Sequence, residues 1–151
     1  MPDSLYDAMG GDDAVLRLAH AWHERVLADE IVAHAFHHGF REDHSERLAA
    51  YWVEQLGGPA AYTDGLGGTH REVVWMHSGN GEHHEMDRRA EQCFAQALDD
   101  AAIPDDPELR ASLIAWFHWG IGVMDSYADD AEAVPPTMTM PHWSWSGPDA
   151  P

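Results

Sequence analysis

The sequence predicts an all-α protein built as a single domain. Apolar residues recur at the three- and four-residue spacing of helices in several long segments, whereas signals for strands are weak throughout. Short polar residues that begin helices precede these segments, and Gly or Pro follows most of them. A length of 151 residues suits one domain, and a 44% hydrophobic content with seven Trp is typical of a packed protein.

A short helical turn and a long helix are predicted at the start of the chain. Residues 4–9 form the turn, which Gly10-Gly11 stops. Asp12 or Asp13 then caps the long helix, because a short acidic side chain accepts hydrogen bonds from the first free N–H groups. Apolar residues at helical spacing mark its buried face: Val15, Leu16, Leu18, Ala19, Trp22, Val26 and Leu27.

The middle of the chain is predicted to hold two helices and a loop. A short helix covers 31–36, and a corner follows over 37–40. Asp43 caps the next helix, which runs to Leu56 and ends before a Gly-Gly-Pro sequence. Residues 59–68 show no helical pattern, so we expect a loop there.

Three helices are predicted in the second half. Thr69 caps a short helix that ends at His77, before a glycine-rich break. A long helix follows over 82–102. An aspartate at 105 or 106 caps the last helix, which starts with a proline and runs to about residue 127.

The C-terminal segment 133–151 is predicted to be a Pro- and Trp-rich extension of a domain formed by residues 1–132. It holds five of the nine prolines and therefore cannot be helical. Its stretch Met-Thr-Met-Pro-His-Trp-Ser-Trp, at 138–145, is too apolar for an ordinary linker. We expect this stretch to pack on the body or on a partner.

Charge and cysteine content exclude several classes of function. Eight basic residues, all Arg, stand against 27 acidic residues and give a formal charge of -19, which argues against nucleic acid and anionic membranes as partners. No apolar run approaches the ~20 residues that span a bilayer, and the N-terminus does not resemble a signal peptide, so we predict a cytoplasmic protein. The single cysteine, Cys93, excludes an intramolecular disulfide and a cysteine-based zinc cluster.

His77 is the most informative single residue. An imidazole at a helix end over an apolar pocket is how an all-helical protein ligates a haem iron. The same position also suits a histidine that only caps the helix, because a helix C-terminus favours positive charge. An iron ligand needs its second ring nitrogen oriented by a hydrogen bond, and we expect a backbone carbonyl of the Val73-Val74 turn to provide it.

Several further motifs follow one another in a defined order over residues 5–127. None is specific alone, but the ordered combination resembles the truncated haemoglobins, in particular their group II branch. The residues that carry the resemblance are Leu5-Tyr6-Asp7-Ala8-Met9-Gly10-Gly11, Trp22-His23, Phe36, Glu46-Arg47-Leu48, Glu54-Gln55, Gly57-Gly58-Pro59 with Tyr62, His70 and His77.

The resemblance implies a two-over-two helical sandwich around one haem b, with His77 as the iron ligand. It also implies that Phe36 wedges against the porphyrin and that Leu48 lies beside the bound ligand. His23 and His44 occupy the distal, ligand-contacting positions and are the candidate catalytic residues. The other candidate cofactor contacts are Arg47, His70 and Arg71 at the propionates, together with Tyr62 and Trp75. Trp75 suits the proximal face of the haem or the core equally.

This sequence departs from the family pattern at three kinds of position. The first distal residue is usually Tyr in the family, but here it is His23, and His44 follows where group II often has a small or apolar residue. A Trp that commonly faces the ligand is replaced by Ala90. The basic residues that usually precede the proximal histidine are replaced by Glu72, Val74 and Met76.

The function that the resemblance implies is binding of oxygen or another diatomic ligand, such as nitric oxide. Related globins are also linked to peroxidase-like and NO dioxygenase-like chemistry, which would add peroxide as a substrate and a reductase as a partner. Two distal imidazoles favour a redox role over simple carriage, because an imidazole can donate or accept a proton. A biosynthetic oxidation also stays open, and the chain is expected to be a monomer or a homodimer.

Two other interpretations compete with a haem carrier or enzyme. Twelve His and 27 acidic residues could build a non-haem di-iron site from pairs such as His20 and His23, or His34 and His38. Alternatively, the protein is a haem-based sensor or interaction module whose tail binds a partner. The histidines at 37, 38, 83 and 84 are expected to be solvated residues at a corner and at a helix start.

Overall fold

The structure, a computed structural model, describes residues 2–36, 39 and 41–149. Within these residues the chain is predominantly helical, which confirms the predicted fold class. The α-helices are α1 (Leu5–Met9), α2 (Gly11–Ala28), α3 (His44–Gln55), α4 (Thr63–Leu66), α5 (His70–Met76), α6 (His84–Asp100) and α7 (Pro107–Met124). Short 3-10 helices cover Val32–Phe36 and Ala131–Ala133, and β1 (Trp143–Ser144) pairs antiparallel with β2 (Gly147–Pro148).

The core lies between two helix pairs. α2 packs against α3 in one pair, α6 packs against α7 in the other, and α2 also contacts α6 across the layers. Four buried aromatic rings join the pairs: Trp52, Phe94, Trp116 and Phe117. Phe94 and Phe117 stack with ring centroids 4.2 Å apart, and Trp52 and Trp116 meet edge-on at 5.5 Å. Because large aromatic side chains fill the contact, the two layers are fixed relative to each other.

Side-chain caps fix two helix starts as the sequence predicts. Thr69 accepts a hydrogen bond from the Glu72 amide (3.1 Å), and Asp106 accepts one from the Glu108 amide (3.0 Å). Asp43 occupies the N-cap position of α3 but makes no capping bond, because its carboxylate pairs with Arg41 at 2.9 Å.

The cap predicted for α2 is wrong. Gly10 is the N-cap residue, with a left-handed φ of 118°, and no side chain caps the helix. Asp12 and Asp13 instead lie in the first turn, where carboxylates interact favourably with the helix dipole. Asp12 also accepts a hydrogen bond from the Tyr6 hydroxyl (2.7 Å).

The segment predicted as a loop contains α4. The buried carboxylate of Glu54, on α3, accepts hydrogen bonds from the amides of Tyr62 (3.1 Å) and Thr63 (2.9 Å) and from the Thr63 hydroxyl (2.7 Å). This cap comes from another helix, so the sequence around residue 63 carries no local sign of it. The last two helices are also shorter than predicted: α6 covers His84–Asp100 instead of 82–102, and α7 ends at Met124 instead of at about residue 127.

The C-terminal segment packs on the body. Met140 is buried in the main core, and its sulfur accepts a hydrogen bond from the side-chain amide of Gln55 at 3.7 Å. Trp143 lies against Trp119 with ring centroids 5.9 Å apart, and the Trp145 indole N–H donates to the Pro2 carbonyl (3.1 Å). Across the described part of the chain, no helix combines the length and apolar character that crossing a membrane requires.

Replacing Gly68 by Ala tests the packing that holds Tyr62 in place. A Cβ at residue 68 would clash with the buried Tyr62 ring, so we expect Gly68→Ala to lower the free energy of unfolding by about 1–3 kcal/mol in denaturant titration. Gly65→Ala, in α4, is the matched control because nothing lies within 4 Å of its added Cβ. Equal losses in the two variants would contradict this account of the packing.

Candidate functional site

Three predicted site residues, His23, Phe36 and His44, meet in one cluster. Their ring centroids are 4.9 Å apart for His23 and His44, 5.5 Å for His23 and Phe36, and 5.4 Å for Phe36 and His44. The rings come from α2, from the end of the first 3-10 helix and from the first residue of α3. We call these three residues the distal cluster.

Phe36 is placed by the turn that follows α2. The Asp29 carboxylate accepts hydrogen bonds from the amides of Ile31 (2.9 Å) and Val32 (3.1 Å), which starts the 3-10 helix that ends at Phe36. Arg89 on α6 binds the other oxygen of Asp29 at 3.3 Å. These bonds to α6 and to the turn hold the cluster's aromatic residue against the two histidines.

His23 lies on the buried face of α2 and contacts α3. Its Nδ1 is 3.2 Å from the hydroxyl of Ser45, and the side chain is buried. Burial lowers the pKa of His23, and the nearby charge of His20 lowers it further. The ring is therefore neutral at neutral pH, with one nitrogen protonated and the other an acceptor.

His44 shares this environment. Burial lowers its pKa, the charges of His23 and then His77 add to the effect, and Asp43 opposes them. The charge of His77, at the end of α5, thus acts on the His44 ring at the start of α3.

The orientation of His77 follows from a hydrogen bond to its own helix. Nδ1 of His77 is 2.7 Å from the carbonyl oxygen of Val73, as the sequence predicts. A carbonyl only accepts, so Nδ1 carries a proton and donates, and in the tautomer that this bond selects the lone pair lies on Nε2. The His77 ring is exposed, while Val74 anchors α5 in the core. Nε2 is therefore available as a metal ligand.

Tyr62 and His70 pack against α3, which contributes Tyr51 and Arg47 to this second group. Tyr62 packs edge-on against Tyr51 (5.2 Å between centroids), and the Tyr51 hydroxyl lies 2.6 Å from Nδ1 of His70. His70 is buried, and burial lowers its pKa. The Arg47 guanidinium carbon lies 5.8 Å from the Tyr62 ring centre. His70 therefore serves the core as a neutral partner of Tyr51.

The remaining predicted site residues are dispersed around these groups. Leu48 is half-buried and packs against the main core. Nε of Arg71 donates to the Pro135 carbonyl (2.9 Å), which ties α5 to the C-terminal segment. Trp75 is 50% exposed and so does not face the core.

Phe36 packs against a small apolar group that was not predicted from the sequence. Val26, Val32, Ala90 and Cys93 form a small buried cluster, and Phe36 and Met86 pack against it together with Trp22. The Trp22 indole N–H donates to the Ala90 carbonyl (3.1 Å). Ser45 was also missed, although its position next to His44 was a usable signal because both residues begin the same helix turn.

The residues proposed for a di-iron site do not assemble one in the described part of the chain. His20 is exposed and lies 3.8 Å from Glu46, and His38 and His37 fall outside the described residues. In the described part of the chain, the potential metal ligands that converge are those of His83, Asp87 and Asp125. His83 is thus not simply solvated as predicted, since its Nδ1 lies 3.0 Å from the Asp87 carboxylate.

Two sequence comparisons identify similar proteins. A family model described as bacterial-like globin matches residues 4–119. A group 1 truncated hemoglobin, GlbN, from Synechocystis sp. is 32% identical over 114 residues, which cover 74% of this chain and 89% of that protein.

Solved structures give the same fold. A hemoglobin from Chloroflexus aurantiacus superposes with a TM-score of 0.68 at 22% identity, covering 82% of this chain and 98% of that one. The group II truncated hemoglobin from Bacillus anthracis also reaches 0.68, at 18% identity, with 82% and 92% coverage. A thermostable hemoglobin from Thermobifida fusca reaches 0.65 at 26% identity, with 80% and 95% coverage.

The lowered pKa values of His23 and His44 predict a specific pH dependence of stability. The pKa of each histidine in the folded protein lies below the usual 6.5 of the unfolded chain. Their burial as neutral rings therefore costs no stability above pH 6.5, whereas stability is lost as the pH falls below 6.5 and the unfolded chain takes up protons first. We expect the unfolding free energy of the cofactor-free protein to drop less between about pH 7 and about pH 5.5 in His23→Gln/His44→Gln than in the unchanged protein. His142→Gln, at an exposed site, controls for the substitution, and identical pH slopes in all three proteins would refute the account.

Proposed function

Because the chain belongs to the bacterial-like globin family, which implies binding of haem and of diatomic ligands, we propose that it holds one haem b on His77 and contacts oxygen or nitric oxide through its distal cluster. The observation that carries the proposal is the His77 tautomer. Val73 holds the Nδ1 proton, which leaves Nε2 as a neutral nitrogen donor of the kind that iron accepts. Haem supplies an iron with an open coordination position when it is bound.

The chain's own groups fit this cofactor. His23 and His44 are neutral at neutral pH because burial lowers the pKa of each, so each ring carries one N–H group and one unprotonated nitrogen. Phe36 and the apolar cluster behind it exclude water from one side of these rings. A diatomic ligand beside the distal cluster would thus meet a hydrogen-bond donor in a partly dry environment, where such a bond is stronger than in water.

Arg47 is the strongest candidate partner for a propionate. Its guanidinium is positioned on the ring of Tyr62, and a charged carboxylate partner would be stabilised there. His70 is hydrogen-bonded to Tyr51, and Arg71 donates to the Pro135 carbonyl. We therefore assign both residues a structural role in supporting the site and not a contact with a propionate. Leu48 and Trp75 are assigned to the rim of the cofactor.

A redox activity is the finer proposal. The two distal imidazoles can take a proton from a substrate such as peroxide and return it, because their lowered pKa values keep one nitrogen of each ring unprotonated at neutral pH. The Ser45 hydroxyl, 3.2 Å from His23, orients one of them. NO dioxygenase-like or peroxidase-like turnover needs an electron donor, for which a reductase is the proposed partner.

We also propose a domain organisation, a cellular location and an oligomeric state for the chain. Residues 1–132 form the globin domain, and 133–151 form a tail that closes its core through Met140. This tail contact supports a structural role over a partner-binding one. The protein is assigned to the cytoplasm as a monomer or homodimer.

Removing the His77 imidazole tests the axial ligand. His77→Gly should lose the ligand-field spectrum of the unchanged protein, and added free imidazole should restore it, because the small molecule can replace the missing nitrogen. His142→Gly, at an exposed histidine in the tail, should leave the spectrum unchanged. If His77→Gly holds haem with the original spectrum in the absence of imidazole, His77 is not the ligand.

Replacing the distal imidazoles tests the ligand contact. We expect oxygen to dissociate about tenfold faster from His23→Leu, His44→Leu or both, because a hydrogen bond worth about 1.4 kcal/mol is lost. Stopped-flow displacement measures the rate, and His20→Leu, one turn away on the exposed side of α2, is the matched control. Unchanged rates in both distal variants would exclude the distal cluster from ligand binding.

A further inference from the structure

A second group of titratable side chains lies outside the proposed haem site. His83, Asp87 and Asp125 each offer one ligand atom, and these atoms all lie within 4.8 Å of one another. Nδ1 of His83 is 3.0 Å from a carboxylate oxygen of Asp87 and 4.0 Å from one of Asp125. The side chains are 30%, 16% and 32% exposed, so the group is partly shielded from water.

The backbone holds these three residues together before any ligand arrives. His83 is the N-cap residue of α6, and Asp87 lies four residues later on the same face. Asp125 is the C-cap residue of α7. The loop between α5 and α6 is held against the residues that follow α7 by two hydrogen bonds. They run from the Gly79 amide to the Tyr127 carbonyl (3.0 Å) and from the Gly81 amide to the Ala128 carbonyl (2.8 Å).

The charges of the group favour a bound cation. Two carboxylates, those of Asp87 and Asp125, converge on the single imidazole of His83, so a cation would compensate the negative charge of the group. Asp125 also lies at a helix C-terminus, where the helix dipole disfavours an anion. Arg88 lines the same cleft, but two of its nitrogens bind Glu85 at 2.6 and 3.0 Å.

We propose that His83, Asp87 and Asp125 bind one divalent transition-metal ion, with Zn²⁺ as the reference ion. One imidazole nitrogen and two carboxylate oxygens form a mixed donor set that suits Zn²⁺ and its first-row neighbours, whereas Mg²⁺ and Ca²⁺ prefer oxygen alone. Ligands about 2.0–2.1 Å from a tetrahedral Zn²⁺ lie about 3.3 Å apart. The observed separations of 3.0 and 4.0 Å need only small side-chain rotations to reach this value.

The site has room for further ligands. Asp87 and Asp125 line a cleft between α6 and α7, whose lining also includes Glu91 and its hydrogen-bond partner His118. Three protein ligands leave one position of a tetrahedral ion to water. A bound ion would also pin the loop after His77 to α7, because His83 ends that loop and Asp125 belongs to α7.

The test uses the haem-loaded, tag-free full chain and Zn²⁺ as the probe. Isothermal titration should give one site per chain, and Zn²⁺ should raise the melting temperature. Asp125→Asn and His83→Gln should each weaken binding at least about tenfold and abolish the thermal shift. Without metal, Asp125→Asn should melt at a higher temperature than the unchanged protein, because it removes the repulsion between two neighbouring carboxylates.

His20→Gln is the matched control, because His20 also lies near a carboxylate (Glu46, 3.8 Å), but no third ligand joins this pair among the described residues. It should bind Zn²⁺ like the unchanged protein. The proposal is overturned if no site is seen, if Asp125→Asn binds as tightly as the unchanged chain, or if His20→Gln loses the site. It is also overturned if Ca²⁺ binds as tightly as Zn²⁺ and His83→Gln has no effect, since His83 would then not be a ligand.

Discussion

The hydrogen bond from Nδ1 of His77 to the Val73 carbonyl is the contact on which the rest of the functional site depends. It fixes the ring's tautomer and rotation at once, because a carbonyl can only accept. The bond exists only while α5 is helical at its C-terminal turn. That turn is held by the Thr69 cap at the other end and by buried Val74 between them. A nitrogen donor suited to iron is thus produced by the geometry of one short helix.

Burial supplies the second element of the site, which is the neutrality of its histidines. His23, His44 and His70 all have lowered pKa values because they are removed from water, yet they occupy different settings. His70 is committed to Tyr51 within the core, whereas His23 and His44 face each other beside Phe36. The first builds the frame, and the other two form a pair able to donate or accept a proton. In a chain with a formal charge of -19, this neutral pair stands apart from the acidic surface.

The sequence predicted what is encoded locally. Helical periodicity, the Thr69 and Asp106 caps and the His77–Val73 contact all involve residues within about one turn of each other. The misses involve partners distant in the chain: Glu54 caps α4 from α3, and Asp125 completes a cluster with His83 across two helices. Gly10 was not predicted as the N-cap of α2, because Asp12 and Asp13 directly after it are residues that commonly cap helices. The candidate site residues were proposed from their order along the chain, whereas Ser45 and the apolar group behind Phe36 became visible only in the packing.

A crystal structure of the haem-bound protein would test the assignment of His77 directly. We expect Nε2 of His77 to be the protein ligand on one side of the iron, Nδ1 still to donate to the Val73 carbonyl, and His23, Phe36 and His44 to line the opposite side. A structure in which another residue holds the iron on the His77 side, or in which His77 binds through Nδ1, would contradict it.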